Sequence, residues 1–520
     1  MKSKSSVILI VIVLVLGATL ITGKDRAHPK SRRSSKVQHL KNEAERSTAF
    51  WNAKAQSIIV DKLKHIQSVK TKHAKNILLF LGDGMSVHTV TATRAFMGDS
   101  SKQVSFEKFP YVGLSKTYCV DRQVPDSACT STAYLTGVKG NYGTIGVTAR
   151  VPRYNCLLSQ DPENHSESIA QWAQSANKDT GFVTTARVTH ASPAGVYAHT
   201  ANRDWENDAK ILSNGCSAKD NVDIARQLVE WPVGKRLRVI MGGGRQNFRN
   251  TTVNDEEGLP GLRTDGRDLI HDWLQEKHMN NHRAEYVWSK KGLSLVDLNN
   301  TDYLLGLFSS SHCPYNGDRV REHTTNADPS LTEMTEAAIR ILQRNKNGFF
   351  LFVEGARIDM AHHSTRARKS LEDTEEFARS IQKAKEMTSE EDTLIVVTSD
   401  HSHTMTINGY PNRELEITGL SDSIADDGLP YTILSYANGP GYYNTYSKKN
   451  GRSKITPKQI QNAKFEYMAT APLDSETHGG DDVGVFANGP FAQYFSGNYE
   501  QTNIPAMMAK AANIGPFAAA

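Results

Sequence analysis

Phe349-Phe350-Leu351-Phe352-Val353 runs directly into Glu354-Gly355, and Asp359, His362 and His363 follow within ten residues. An apolar run without alternation suits a strand buried on both faces, the kind found in parallel sheets covered by helices. The pattern recurs. Residues 77–81 lead into Gly82-Asp83-Gly84, 182–185 lead to His190 and Ser192, and 394–398 lead into Asp400, His401 and His403, with a fifth run at 237–241. Amphipathic stretches separate the runs, the long ones at 329–343 and 366–387 reading as covering helices. This alternation predicts an α/β fold with a largely parallel sheet.

Ligands of open α/β sheets bind beyond the carboxyl ends of the strands, so these acids and histidines are expected to meet at one sheet edge. A single strand-end Asp is commonly a helix cap or turn residue, but that reading does not account for the set. Asp359-x-x-x-His363 and Asp400-His401 combine carboxylate oxygen with imidazole nitrogen, which suits zinc. Asp83, Glu354 and Ser192 offer oxygen alone, which suits magnesium. A site for both kinds of ion is expected. Ser127, behind Asp126 and ahead of small residues, reads as the first residue of a helix, where the dipole favours an anion. No Ser-His-Asp order or Gly-x-Ser-x-Gly elbow surrounds it, so its activation is assigned to metal.

The 520 residues, 38% hydrophobic and 22% charged, exclude a disulfide mini-protein, a coiled coil, a disordered chain and a polytopic membrane protein. The net charge of +5 is concentrated near the start. Seven Lys/Arg against Asp25 alone lie between Lys24 and Lys41, leaving the remainder mildly acidic, so nucleic acid is not an expected partner. Residues 1–23 have the layout of a secretory signal peptide, with an uncleaved membrane anchor as the alternative, and 24–46 read as a basic flexible arm. No hydrophobic lipid-anchor tail is seen at the C-terminus. Export makes Cys119, Cys129, Cys156, Cys216 and Cys313 candidates for disulfides whose pairing spacing does not reveal. Sequons at Asn164, Asn250 and Asn299 are consistent with a secreted glycoprotein.

Five blocks in order carry a family resemblance: 81–85, 124–135, 187–203, 352–363, and 398–403 with Glu476-Thr477-His478. Over roughly residues 50–510 the sequence resembles alkaline phosphatases of the animal type. The resemblance implies a three-layer sandwich whose central, largely parallel sheet is flanked by helices, with a small crown-like insert. The corresponding boundaries are 47–403 for the catalytic α/β unit, 404–475 for the insert and 476–520 for the return. It implies one zinc on Asp359, His363 and His478, a second on Asp83, Asp400 and His401 beside Ser127, and magnesium on Asp83, Ser192 and Glu354. His190 and His403 would stand behind these ligands, and Arg203 would bind phosphate. Phosphate monoesters would be hydrolysed through a phosphoserine on Ser127. A homodimer is also implied, with a helix around 50–70 crossing onto the partner.

Cys156–Cys216 matches a disulfide of the animal relatives. Cys119 with Cys129 is a weaker match, with a buried free thiol as the other reading of Cys129, and Cys313 is left over. Two departures stand out. Met360 occupies a position where relatives carry histidine or lysine, and a thioether neither donates a strong hydrogen bond nor carries charge. A calcium site of the relatives matches at Phe308 and Asp328, but Ser309 replaces a glutamate, and its remaining ligand falls in Asp255-Glu256-Glu257 only to within a residue. His199, His312, His323 and His362 read as surface or satisfied histidines. Ser127, Ser192, Glu354 and Arg203 together argue against a phosphodiesterase or sulfatase, and the complete zinc set argues against a non-catalytic binding protein.

Overall fold

A computed structural model describes residues 72–322 and 327–518. The signal peptide, the basic arm, the helix expected around 50–70 and His323 lie outside the described residues.

Ten strands form one sheet: β1 (Asn76–Gly82), β2 (Tyr111–Lys116), β3 (Asp179–Arg187), β4 (Leu237–Gly243), β5 (Ala284–Val287), β6 (Tyr303–Leu307), β7 (Phe349–Gly355), β8 (Thr393–Thr398), β9 (Val483–Asn488) and β10 (Gly497–Glu500). Their order is β10-β2-β9-β8-β1-β7-β3-β4-β6-β5. Only β9 runs against its neighbours, pairing antiparallel with both β8 and β2. The five apolar runs of the sequence are the five contiguous central strands, β8-β1-β7-β3-β4.

The unbroken apolar character of these strands has a simple cause: alternate residues enter two different cores. From β1, Ile77, Leu79 and Leu81 point to one face and Leu78 and Phe80 to the other. From β7, Phe350 and Phe352 join the first core, and Phe349, Leu351 and Val353 the second. Helices Leu331–Leu342 and Ala367–Met387 cover the second face. Helices Ser127–Thr136, Ile169–Ser175, Ile224–Glu230 and Asn503–Ala512 cover the first. Truncating a wholly buried member such as Phe352 to alanine would cost about 3–5 kcal/mol.

Register places the strand ends at one level. Leu81 of β1 lies beside Glu354 of β7 and Thr398 of β8, and Glu354 lies beside Thr184 of β3. Asp83, Glu354, Asp400 and the segment holding His190 and Ser192 therefore leave the sheet together.

Residues 404–475 add small sheets of their own, the largest joining Thr406–Ile407, Leu434–Gly439 and Ala469–Pro472. Met405, Leu434, Tyr436 and Tyr467 form a separate apolar cluster there, resting on Ala367 and Leu371 of the long helix. His478–Gly479 then pairs with Ser402–His403 and returns the chain to the strand ends.

Two disulfides are present, Cys119–Cys129 and Cys156–Cys216, with Cys313 a buried free thiol. The first decides between the two readings of Cys129. Asn164 is 3% exposed and its amide nitrogen donates to Leu158 O at 3.0 Å. That leaves no room for the glycan its sequon suggests, whereas Asn299 is exposed and Asn250 half-buried.

Candidate active site

Ser127 opens a helix whose ten residues are all buried, capped by Asp126, which accepts from Cys129 N at 3.3 Å. The small side chains of this segment allow that burial, and the Cys119–Cys129 bridge ties its first turn to the preceding loop. The other oxygen of Asp126 binds Arg203 Nη1 at 2.8 Å. One residue thus fixes both the nucleophile candidate and the expected phosphate-binding arginine.

Two groups of metal-type donors meet at the strand ends. Asp83, Asp400 and His401 form one, and Asp359, His363, His403 and His478 the other. His401 Nε2 lies 3.3 Å from Ser127 Oγ, 3.1 Å from Asp400 and 3.6 Å from Asp83. In the second group, His363 Nδ1 donates to Glu476 O at 2.5 Å and His478 Nδ1 donates to Pro125 O at 2.7 Å. Both rings therefore turn their Nε2 atoms inward, 3.1 Å apart and each 3.4 Å from Asp359 Oδ1. Two imidazole nitrogens facing each other beside a carboxylate are a donor set that a cation would satisfy.

The oxygen-only set passes the same test. Both oxygens of Asp83, Glu354 Oε1, Asp400 Oδ2 and Ser192 Oγ are buried without a hydrogen-bond partner. Burial and then repulsion from Asp400, Asp359 and Glu354 drive the Asp83 carboxyl well up. Burial pushes Glu354 up to about 7, although Thr184 donates to it at 2.5 Å. Asp359 is the exception: burial would raise it, but His363, His403 and His478 hold it well down. Clustered carboxylates of this kind need positive charge among them. The donor chemistry fits nitrogen-and-oxygen zinc sites and an oxygen-rich magnesium site.

Around these groups stand residues that fix them. His403 bridges Asp359, at 2.6 Å from Nε2, and Glu476, at 2.5 Å from Nδ1. Burial lowers the His403 pKa, but Glu476 and Asp359 outweigh it and carry the ring up to about 10. Gly84 N donates to Asp400 Oδ1 at 2.9 Å. Gly84 has φ +64°, and a Cβ there would lie 2.4 Å from His403 Cδ2, so backbone conformation and space both require glycine.

All the expected zinc and magnesium ligands, Ser127 and Arg203 come together, with His190 Nε2 3.3 Å from Arg203 Nη2. The guanidinium of Arg245, wholly buried, sits among Asp255 at 3.1 Å, Glu256 at 3.6 Å and Glu257. It also donates to Leu307 O at 2.7 Å, so an internal cation already holds these acids. Asp328 lies near enough to Glu257 for repulsion between them to help burial raise its carboxyl to about 6. Met360 lies against Arg357, whose guanidinium stacks 3.6 Å above the Tyr315 ring. His362 and His199 are satisfied as read: His362 by Thr89, Ser370 and Tyr436, His199 by Gly146 O.

Sequence reasoning missed the roles of Glu476 and Asp126 and the place of His312. The first two had a signal in their adjacency to His478 and Ser127. His312 had none, because β6 carries it to within 5.2 Å of His190 from a distant point in the chain.

A mostly parallel α/β sheet with a buried serine and metal-type donors at its strand ends defines a hydrolase-like class of metal-dependent enzyme. The family profile for alkaline phosphatase matches residues 74–514, and the chain belongs to the alkaline phosphatase family. It is 44% identical over 513 residues to a membrane-bound alkaline phosphatase of Bombyx mori, covering 96% of this chain and 92% of that one. It is 43% identical over 489 residues to the tissue-nonspecific alkaline phosphatase isozyme of Mus musculus, covering 91% and 90%. Among solved structures, Thermus thermophilus alkaline phosphatase superposes with a TM-score of 0.60 at 21% identity, covering 86% and 93%. The enzyme from the Antarctic bacterium TAB5 gives 0.57 at 21%, covering 86% and 100%. The protein is thus an enzyme of the phosphomonoesterase class.

Proposed function

We propose that this chain hydrolyses phosphate monoesters to an alcohol and inorganic phosphate through a phosphoserine on Ser127, using two zinc ions and one magnesium ion. Asp359, His363 and His478 would hold one zinc, Asp83, Asp400 and His401 the other, and Asp83, Ser192 and Glu354 the magnesium. The facing Nε2 atoms of His363 and His478, beside a serine at a helix N-terminus, are the observation that carries this reading. When bound, such ions act as Lewis acids that lower the pKa of a nearby hydroxyl and neutralise charge on phosphoryl and leaving oxygens.

The chain supplies positioning. Arg203, held at one corner by Asp126, presents its fork to two phosphate oxygens. Ser127 Oγ gives up its proton and attacks phosphorus in line. The bond from phosphorus to the ester oxygen breaks, and that oxygen leaves as the alcohol after taking a proton. Water then attacks the phosphoserine from the opposite side, restoring the serine hydroxyl and releasing phosphate. Because the residues named grip only the phosphoryl group, the leaving group is chosen loosely.

Quenching the enzyme in acid during turnover of a 32P-labelled monoester tests this reading. Label is expected on Ser127 and absent from Ser127→Ala; a fully active alanine variant would overturn it. We also propose export and glycosylation at the exposed Asn299 sequon, supported by the leader-like 1–23 and the two disulfides, and a homodimer, on the family resemblance alone. Membrane attachment through 1–23 is the alternative location. Among the described residues no helix is long and apolar enough to cross a membrane.

A further inference from the structure

Arg203 must offer two nitrogens in one plane to grip a phosphate, yet Asp126 holds only Nη1. One contact leaves the guanidinium free to turn about it. The second corner, Nη2, meets His190 Nε2 at 3.3 Å. The other ring nitrogen of His190, Nδ1, is buried and has no partner, so its one hydrogen bond, to Arg203 itself, does not fix the ring plane. Packing must do so, and His312 stands edge-to-face against it, with centroids 5.2 Å apart and planes at 81°.

His312 is itself anchored. Its Nε2 accepts from Arg187 Nη1 at 2.6 Å. Arg187, the last residue of β3, is gripped by Glu206, which takes Nε at 2.8 Å and Nη2 at 2.6 Å. Glu206 in turn accepts from Thr189 Oγ1 at 2.6 Å and Asn247 Nδ2 at 2.9 Å. A charge-assisted, multiply bonded base of this kind has little freedom. The contacts run unbroken from Glu206 through Arg187, His312 and His190 to Arg203.

We propose that His312 is a positioning residue for phosphate binding: fixed by the Arg187–Glu206 pair, it sets the His190 ring that holds the second corner of the Arg203 fork. This rests on the reading of Arg203 as the phosphate-binding arginine. The role is specific to the fork, so its loss should weaken phosphate binding while leaving the nucleophile and the ions in place.

The test is a double-mutant cycle on the metal-replete enzyme with His312→Ala, Arg203→Ala and the pair. Readouts are KM and kcat for p-nitrophenyl phosphate, the inhibition constant of inorganic phosphate, calorimetric phosphate binding, zinc and magnesium content, and melting temperature. His312→Ala is expected to raise KM and the phosphate inhibition constant about tenfold, one charge-assisted contact's worth, with kcat at or above wild type and metal content unchanged. In the Arg203→Ala background the same change should add less than about twofold. Glu206→Gln should reproduce a weaker form of the effect. If His312→Ala does not fold, His312→Gln, which keeps an acceptor for Arg187 without the ring, carries the same comparison. Full additivity with Arg203→Ala, or phosphate affinity within twofold of wild type, overturns the proposal. An Arg203→Ala enzyme that binds phosphate normally would instead overturn the underlying reading of Arg203.

Discussion

The Nε2 atoms of His363 and His478 face each other across 3.1 Å, each 3.4 Å from Asp359 Oδ1. Their Nδ1 protons are committed to the carbonyls of Glu476 and Pro125, so the gap accepts either a cation or an added proton. Metal and acid should therefore compete for it. Stripping the ions with a chelator at pH 8 should abolish activity and lower the melting temperature. An ion at a thousand times its Kd contributes about 4 kcal/mol to the folded state. The melting difference between replete and stripped protein should shrink as the pH is lowered, because bound ions and protons compete for the same ligand atoms. Stripped protein that melts with replete protein at pH 8 would sink the metal assignment.

Replacing Arg203 by lysine keeps the charge and removes the fork. A hydrogen bond to a charged group is worth about 1.5–3 kcal/mol, so the phosphate inhibition constant should rise between about 10- and 150-fold. Asp126 would lose its 2.8 Å partner, so kcat should fall as well. Steady-state kinetics with added phosphate measure both. An unchanged inhibition constant would show that phosphate does not sit on this arginine.

Legibility in the sequence followed burial. The five central strands, apolar because both faces are covered, could be read as unbroken runs, and the residues after them supplied most of the site. The outer strands could not. β2 and β9 carry a half-exposed, alternating pattern, and β5 has only four residues. His478 follows no apolar run and reaches the site by pairing with His403, so only family resemblance placed it. His312 escaped because its neighbours belong to β3 and the following turn, a relation that exists only once β3, β4 and β6 lie side by side. Arg245 was equally hidden: nothing local says that a buried guanidinium will close the Asp255-Glu256-Glu257 stretch.

The two disulfides should fail differently. On loop-closure entropy, the bridge of separation 60, Cys156–Cys216, is worth about 4 kcal/mol, and the bridge of separation 10, Cys119–Cys129, about 3. Cys129 lies two residues from Ser127 in the first turn of the same helix, whereas Cys216 packs in a separate small cluster with Trp205 and Ile211. Double serine variants should therefore invert the ranking between stability and catalysis. Removing Cys156–Cys216 should cost more melting temperature, and removing Cys119–Cys129 more kcat. Melting curves and turnover on both variants decide it, and a common ranking in the two measurements would contradict the assignment.

Asp373 provides a pH test remote from the ligands. Burial pushes its carboxyl up to about 7, with Arg357 opposing and Glu372 and Glu376 adding repulsion. Asn316 N donates to its two oxygens at 3.2 and 3.3 Å. An unfolded aspartate titrates near 3.9, so the folded chain holds this proton more tightly than the unfolded one. The resulting stability is complete below about pH 4 and is lost as pH rises through about 7. Asp373→Asn keeps an acceptor for Asn316 and removes the titration. Relative to wild type it should gain about 2 kcal/mol between pH 5.5 and 8.5, at about 1.36 kcal/mol per pH unit over the roughly 1.5 units below the folded pKa. The variant should therefore melt above wild type by a wider margin at pH 8.5 than at pH 5.5, both with ions in excess. Equal margins would mean that this carboxylate ionises in the folded protein without penalty, its charge met by Arg357.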